Sequence, residues 1–237
     1  DAVTADKLAN AINTSIAAKA PLASPVFTGN VSHGDNVKAK FGTGNDLEIF
    51  HDGSHSRIKD VGTGHLVLSG GEVHFNNSDN TSNHLVINSA GIVTKPLQPA
   101  FLATKTNTAS NTPINTDHTV LFQTEVYDQN SDFSSNTFTA PVTGKYLLTA
   151  SLRLDQVDEA ANYYLLGIIG SNRSFREIWN PGGITDNDSY HNMQVSGLLD
   201  MDANDTAIVR FNQNAGNPQV DQDGNAEMSY FCGHLVC

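Results

Sequence analysis

The apolar positions of this chain change period along its length, and the changes divide it into three parts. Near the start Leu8, Ile12 and Ile16 recur four residues apart in Ala-rich sequence that opens at Thr4-Ala5-Asp6-Lys7 and stops at Pro21, the spacing of one helical face. So short and narrow a stripe is marginal alone in water and needs a surface to bury against. A self-associating coiled coil supplies one; docking on the chain's own domain is the other solution. From Val31 to Val93 the pattern shortens to clusters at Phe41, Leu47 to Phe50, Ile58, Leu66 to Leu68, Val73 to Phe75, Leu85 to Ile87 and Ile92-Val93, bounded by Gly, Asn and Asp. These are short strands. Beyond Pro96-Leu97-Gln98-Pro99, a stiff proline-bracketed connector, the apolar residues alternate over longer runs. The runs are Ala100 to Ala103, Val120 to Phe122, Tyr146 to Leu154, Tyr163 to Ile169, Phe175 to Trp179, Met193 to Leu199, Ala207 to Phe211 and Met228 to Val236. Even spacing with turn signals between them predicts an antiparallel sandwich.

The middle part carries a weak internal repeat: Gly42-Thr43-Gly44 before Leu47-Glu48-Ile49 returns twenty residues later as Gly62-Thr63-Gly64 before Leu66-Val67-Leu68. Between the two, Asp52-Gly53 is a two-residue hairpin signal. Strands this short, with so few apolar residues, cannot bury a core within one chain. Such segments gain stability by stacking on copies of themselves, which predicts an elongated, intertwined oligomer.

Composition narrows the function classes. The 237 residues carry a formal charge of -12, which repels phosphate and argues against nucleic acid as a partner. No apolar run reaches the roughly 18 residues needed to span a bilayer, and no signal peptide opens the sequence. Neither does a Met, so the expectation is the C-terminal piece of a longer protein. Cys232 and Cys237 are five residues apart on what reads as the last strand, on opposite faces and too distant to bond to each other. They are expected to be unpaired, with a contact between chains at Cys237 as the alternative. Six of the nine histidines, at 33, 51, 55, 65, 74 and 84, fall in the front half without a paired metal-ligand spacing and read as polar strand positions.

Two resemblances follow from particular residues. Lys19-Ala20-Pro21-Leu22 and Ser24-Pro25-Val26-Phe27-Thr28-Gly29, within residues 8 to 31, resemble a segment recurrent in bacteriophage tail-fibre shafts. Residues 42 to 93, with Leu47 to Ser54 and Ile58 to Gly64, resemble repeats in fibres of phages that infect marine bacteria, cyanobacteria among them. The family implies a homotrimeric fibre on a virion, joined to the rest of the tail fibre. The back half, with Phe122, Asp128, Phe133, Phe138, Gly144 and Tyr146, then Leu199, Asn204-Asp205 and Tyr230 to Leu235, resembles the globular head of the complement and tumour-necrosis-factor superfamily, a trimeric jelly roll. It departs from that pattern in the short interval between Phe133 and Phe138, and in Leu148 and Ala150 where aromatics are usual.

The expected protein is therefore mainly β, with a short N-terminal helical coiled-coil collar over 1-20, an intertwined β-rich trimeric shaft over 21-95 and an antiparallel jelly-roll sandwich over 96-237. In such a head successive turns alternate between the two ends. If Val142-Thr143-Gly144 lies near the shaft, then 155-162, 180-190 and 212-226, the longest and most polar loops, face away from it. Their candidate receptor-binding residues are Asp155, Asp158, Glu159, Trp179, Asn180, Asp186, Asp188, Tyr190, Asp221, Asp223 and Asn225. The ligand would be a host cell-surface glycan or an outer-membrane protein. No cofactor is required; calcium at the tip is conceivable, because Asp221-Gln222-Asp223-Gly224-Asn225 offers alternate oxygen donors, although the full calcium-loop pattern is missing. No nucleophile elbow, zinc-binding helix or phosphate loop occurs, and the Asp-x-Asp pairs at 186, 200 and 221 sit in polar loops, so no enzyme is expected. The readings left beside adhesion are a purely structural spacer or trimerisation cap, a polysaccharide-degrading fibre, and a complement-like head from a cell.

Overall fold

The structure, a computed structural model, describes residues 26–183 and 190–237, so the collar expected over 1-20 lies outside the described residues. Every element among those residues is a strand, and none of them forms a helix long and apolar enough to cross a membrane. The chain divides into two compact units, Asp1–Ser69 and Gly70–Cys237.

The first unit is an antiparallel meander of β1 (Ala39–Phe41), β2 (Leu47–His51) and β3 (Ser56–Asp60). Its hairpin turn sits one residue later than the Asp-Gly signal predicts: Asp52 N–H donates to the His55 carbonyl at 3.0 Å, and Gly53, at φ 91°, is the first central residue. Asp52 instead flanks the turn, its carboxylate accepting from Ser54 N at 3.0 Å and His55 N at 2.8 Å. Leu66-Val67-Leu68, expected as a strand, pairs with no described strand and stays exposed. Three successive apolar residues cannot share one face, so such a run becomes a strand only where both faces are covered. Among the described residues of this unit the buried one is Glu48, held by Lys38 Nζ at 2.8 Å.

The second unit begins with another three-stranded antiparallel sheet, β4 (Val73–Asn76), β5 (Asn83–Ile87) and β6 (Val93–Thr94). The rest is a two-sheet sandwich. One sheet runs β15 (His191–Met201), β12 (Gly144–Asp155), β18 (Tyr230–Leu235), β7 (Ala100–Thr104) and β9 (Thr124–Gln129), with β17 (Asp221–Gln222) beside β12. The other runs β10 (Phe133–Ser134), β11 (Thr137–Thr139), β16 (Thr206–Asn214), β13 (Tyr163–Gly170) and β14 (Ser174–Trp179), with β8 (His118–Thr119) beside β16. The chain passes repeatedly from sheet to sheet, at β7–β8, β8–β9, β9–β10, β11–β12, β12–β13, β14–β15, β15–β16 and β16–β17, the winding of a jelly roll.

Alternation builds the core. Tyr146, Leu148, Ala150, Leu152 and Leu154 of β12 point inward while Lys145 and Leu147 face out. Phe101 stacks on Phe133 and Phe138 at 5.0 and 4.8 Å and meets Phe231 edge-on at 5.0 Å, so one phenylalanine ties four strands. Turns explain the asparagines: Asn36, Asn45, Asn80, Asn111, Asn115, Asn130, Asn136 and Asn204 all take positive φ, where Asn is better tolerated than other side chains. Cys232 and Cys237 are both free; β18 ends at Leu235, so Cys237 lies past the strand on which the sequence reading places it.

Candidate functional site

Two sets of loops collect at opposite ends of the sandwich. At the end where the chain arrives from Lys95 to Pro99, Leu235 N donates to the Pro99 carbonyl and Lys145 N to the Cys237 carbonyl. There Asn172 Nδ2 reaches Asp205 at 2.7 Å, Arg173 pairs with Asp200 at 2.8 Å and Ala203 N donates to Thr143 at 3.1 Å, which gathers the turns at 142-144, 171-174 and 200-205. At the other end the loop after β12 meets the segment after β16: Gln156 Nε2 donates to Asp221 at 2.9 Å, Gln219 Nε2 to the Gln156 carbonyl at 3.2 Å, and Asn217 N to Asp158.

Not every acid expected at this end is open to a ligand. Asp158 is fully buried; its carboxylate accepts from Ala160 N at 3.0 Å and from Asn217 N, closing its own turn and pinning the neighbouring loop. Asp221 is 9% exposed and bonded to Asn111 N at 2.8 Å as well as to Gln156. Both depart from the expectation of acids held open for a receptor: the loop N–H groups of Ala160, Asn217 and Asn111 recruit the nearest carboxylate. Asn180 and Asn225 likewise accept from Gly182 N at 2.7 Å and Glu227 N at 2.9 Å. Glu159 is exposed, and Asp186 and Asp188 lie outside the described residues. Asp155 and Asp223 turn instead toward Arg153, which sequence reasoning missed. Its Nε and Nη2 bind the Asp155 carboxylate at 2.8 and 3.2 Å, and its Nη1 is 3.7 Å from Asp223. No group of three or more His, Cys, Asp or Glu side chains suited to a metal ion occurs among the described residues.

Trp179 is not a free-standing tip residue either. It is the third ring of a ladder that climbs from the core: Phe211 to Tyr164 at 6.1 Å, Tyr164 to Trp179 at 5.4 Å, Trp179 to His191 at 3.6 Å with planes 9° apart. The Tyr164 hydroxyl accepts from Asp158 N at 2.8 Å, and burial pushes its pKa up to about 12. Burial holds the His191 imidazole below its ordinary value, against an opposing pull from Glu177. Lys105 is 1% exposed, and burial lowers its pKa too, opposed by the charge of Asp223. Beside the ladder, Arg153, Tyr190, His191, Asn192 and Met228 line a cavity of about 290 Å³. Tyr190 is 70% exposed, with the Arg153 guanidinium 4.6 Å from its ring centre. A signal for Arg153 was present in the alternation of β12, which puts 153 and 155 on the same outer face as an adjacent cation and anion.

The sequence matches no family model and no curated protein. Solved structures similar to it include the globular domain of zebrafish complement 1qA protein, at 15% identity and a TM-score of 0.45 over 59% of this chain and 98% of that one. Murine APRIL at pH 5.0 is similar at 16% identity and a TM-score of 0.42, over 59% of this chain and 99% of that one.

Proposed function

We propose that this chain is part of a bacteriophage tail fibre, a homotrimer on the virion whose jelly-roll head adheres to the host cell surface without catalysis. The observation that carries the reading is the state of residues 26–69, where Phe27, Phe41, Ile49, Ile58 and Val67 are 61, 51, 43, 61 and 74% exposed while the buried residue is a glutamate. The described residues of this unit form no apolar core among themselves, and cover from other chains would fit the shaft that the tail-fibre resemblance implies. The head adds a loop cluster at the end away from the arriving chain, where a rigid scaffold carries variable contacts. Adhesion would come from weak contacts multiplied by copy number. The ligand is a host glycan or outer-membrane protein, and the reading needs no cation, since Asp155, Asp158, Asp221 and Asp223 already have protein partners.

The same internal bonding favours a second reading, a structural spacer or trimerisation cap with no ligand. Binding of the fluorescently labelled chain to cultured marine cyanobacteria, scored by flow cytometry against an unlabelled competitor, separates the two. Saturable, competed binding is expected; its absence across a broad strain panel leaves the spacer.

A further inference from the structure

The cavity beside Tyr190 has a chemistry more specific than adhesion in general. We infer that it is a saccharide subsite, holding one neutral pyranose of a surface glycan against the open face of Tyr190. This rests on the adhesion reading and names its ligand class.

Three features lead there. The first is a prepared aromatic platform. The Arg153 guanidinium lies over one face of the Tyr190 ring at 4.6 Å and is itself fixed by two bonds to Asp155, yet Tyr190 remains 70% exposed. A ring held from behind and open in front is the surface on which the C–H face of a sugar stacks, because those hydrogens are polarised by the attached oxygens and meet the negative face of the ring. The second is a mixed set of polar groups. Arg153 Nη1 lies 3.7 Å from Asp223 and 4.0 Å from the Met228 sulfur, so it donates to no oxygen at hydrogen-bond length among the described residues. In the same lining the Asn192 amide, paired with the Ser151 hydroxyl at 3.1 and 3.4 Å, offers a second donor and an acceptor, while the Asp155 and Asp223 carboxylates lie against Arg153 outside the lining. Sugar hydroxyls donate and accept at once, and such a set serves both halves. The third is charge and size. Arg153 and Lys105 stand against Asp155 and Asp223, a formally balanced set that favours neither an acidic nor a basic sugar. A cationic ligand would approach a ring whose quadrupole already faces the guanidinium. At about 290 Å³ the cavity is at the small end for ligand pockets, the scale of a terminal sugar. Behind it the Trp179 and His191 stack forms a rigid wall.

The test uses the whole chain and three proteins: the parent, Tyr190→Ala and Tyr190→Phe. Because Tyr190 is a surface side chain, both variants should fold, and unchanged thermal unfolding establishes it. Saturation-transfer NMR is recorded with the methyl glycosides of glucose, galactose, mannose, fucose and rhamnose, and with N-acetylneuraminic acid and choline as charged probes. At least one neutral glycoside should receive saturation through its ring protons, weakened about tenfold or more in affinity by Tyr190→Ala and retained by Tyr190→Phe. No transfer to any neutral glycoside, transfer that Tyr190→Ala leaves intact, or transfer only to a charged probe overturns the subsite. Cell binding keeps the two readings apart: a parent chain that adheres equally well with Tyr190→Ala removes the sugar subsite alone, whereas a parent chain that does not adhere removes the adhesion reading beneath it.

Discussion

Trp179 is the sole tryptophan of the chain, and its stacking on His191 turns one residue into a reporter of the candidate site. Burial keeps His191 below the ordinary imidazole value, so the unfolded chain binds this proton more readily than the folded one. The consequence for stability has a definite sign. Between the depressed folded value and about 6.5 the unfolded state carries more protons, so stability rises with pH through that window and is lost below it. Protonated imidazole quenches indole emission, so fluorescence should fall on acidification with a midpoint below about 6.5 and should cease to titrate there in His191→Phe. A midpoint above that value would mean that Glu177, the group opposing the burial effect, controls the ring instead. Residues of this kind were the hardest to read in advance. Phe211, Tyr164, Trp179 and His191 belong to four strands of two sheets, and only the folded register brings them into line. Asp158 was legible in principle, since an Asp two residues ahead of a turn amide is an Asx-turn pattern, but a polar loop reads first as solvated.

The strands of the sandwich were legible where both their faces have different fates. β12, β15 and β16 alternate over most of their length because one face is core, and the sequence shows the same period, whereas β13, Tyr163–Gly170, is an almost continuous apolar run that reads as a strand by its length and composition. β9 carries no such signal: its residues are exposed or half-buried on both faces, and it is held by pairing with β7. Glycines mark where elements approach too closely for a side chain. At Gly197 of β15 a Cβ would fall on the ring of Phe175 from β14, and at Gly233 of β18 it would strike Leu148. Gly197→Ala is therefore expected to destabilise the head by about 1–3 kcal/mol, as overpacking in a core does. Urea unfolding of residues 70–237 within the full chain should show a lower midpoint at unchanged slope. A variant as stable as the parent would mean that Phe175 does not seal that edge.

At the scale of the molecule the question is what covers the apolar face of the first unit. Ala39, Ile49 and Ile58 pair directly across β1, β2 and β3, so their side chains share one face of a three-stranded sheet, with both isoleucines exposed. A single three-stranded layer needs a second surface against that face to be stable on its own. In the trimer proposed above, association of chains would supply the surface without adding a residue, and it would make folding of this unit depend on protein concentration. The face can be tested without touching the head. Light scattering of the parent should return about three times the chain mass of 25.4 kDa. Ile58→Lys places a charge where the neighbouring chain would bury an apolar side chain, and burying it unpaired costs several kcal/mol per chain, enough to drive dissociation or to melt the first unit while the sandwich, with its own core, remains folded. Near-UV signal from Trp179 would report the intact head. If instead Ile58→Lys retains the parent's mass and the sheet of the first unit, then this isoleucine face is not what joins the chains, and the contacts must lie elsewhere.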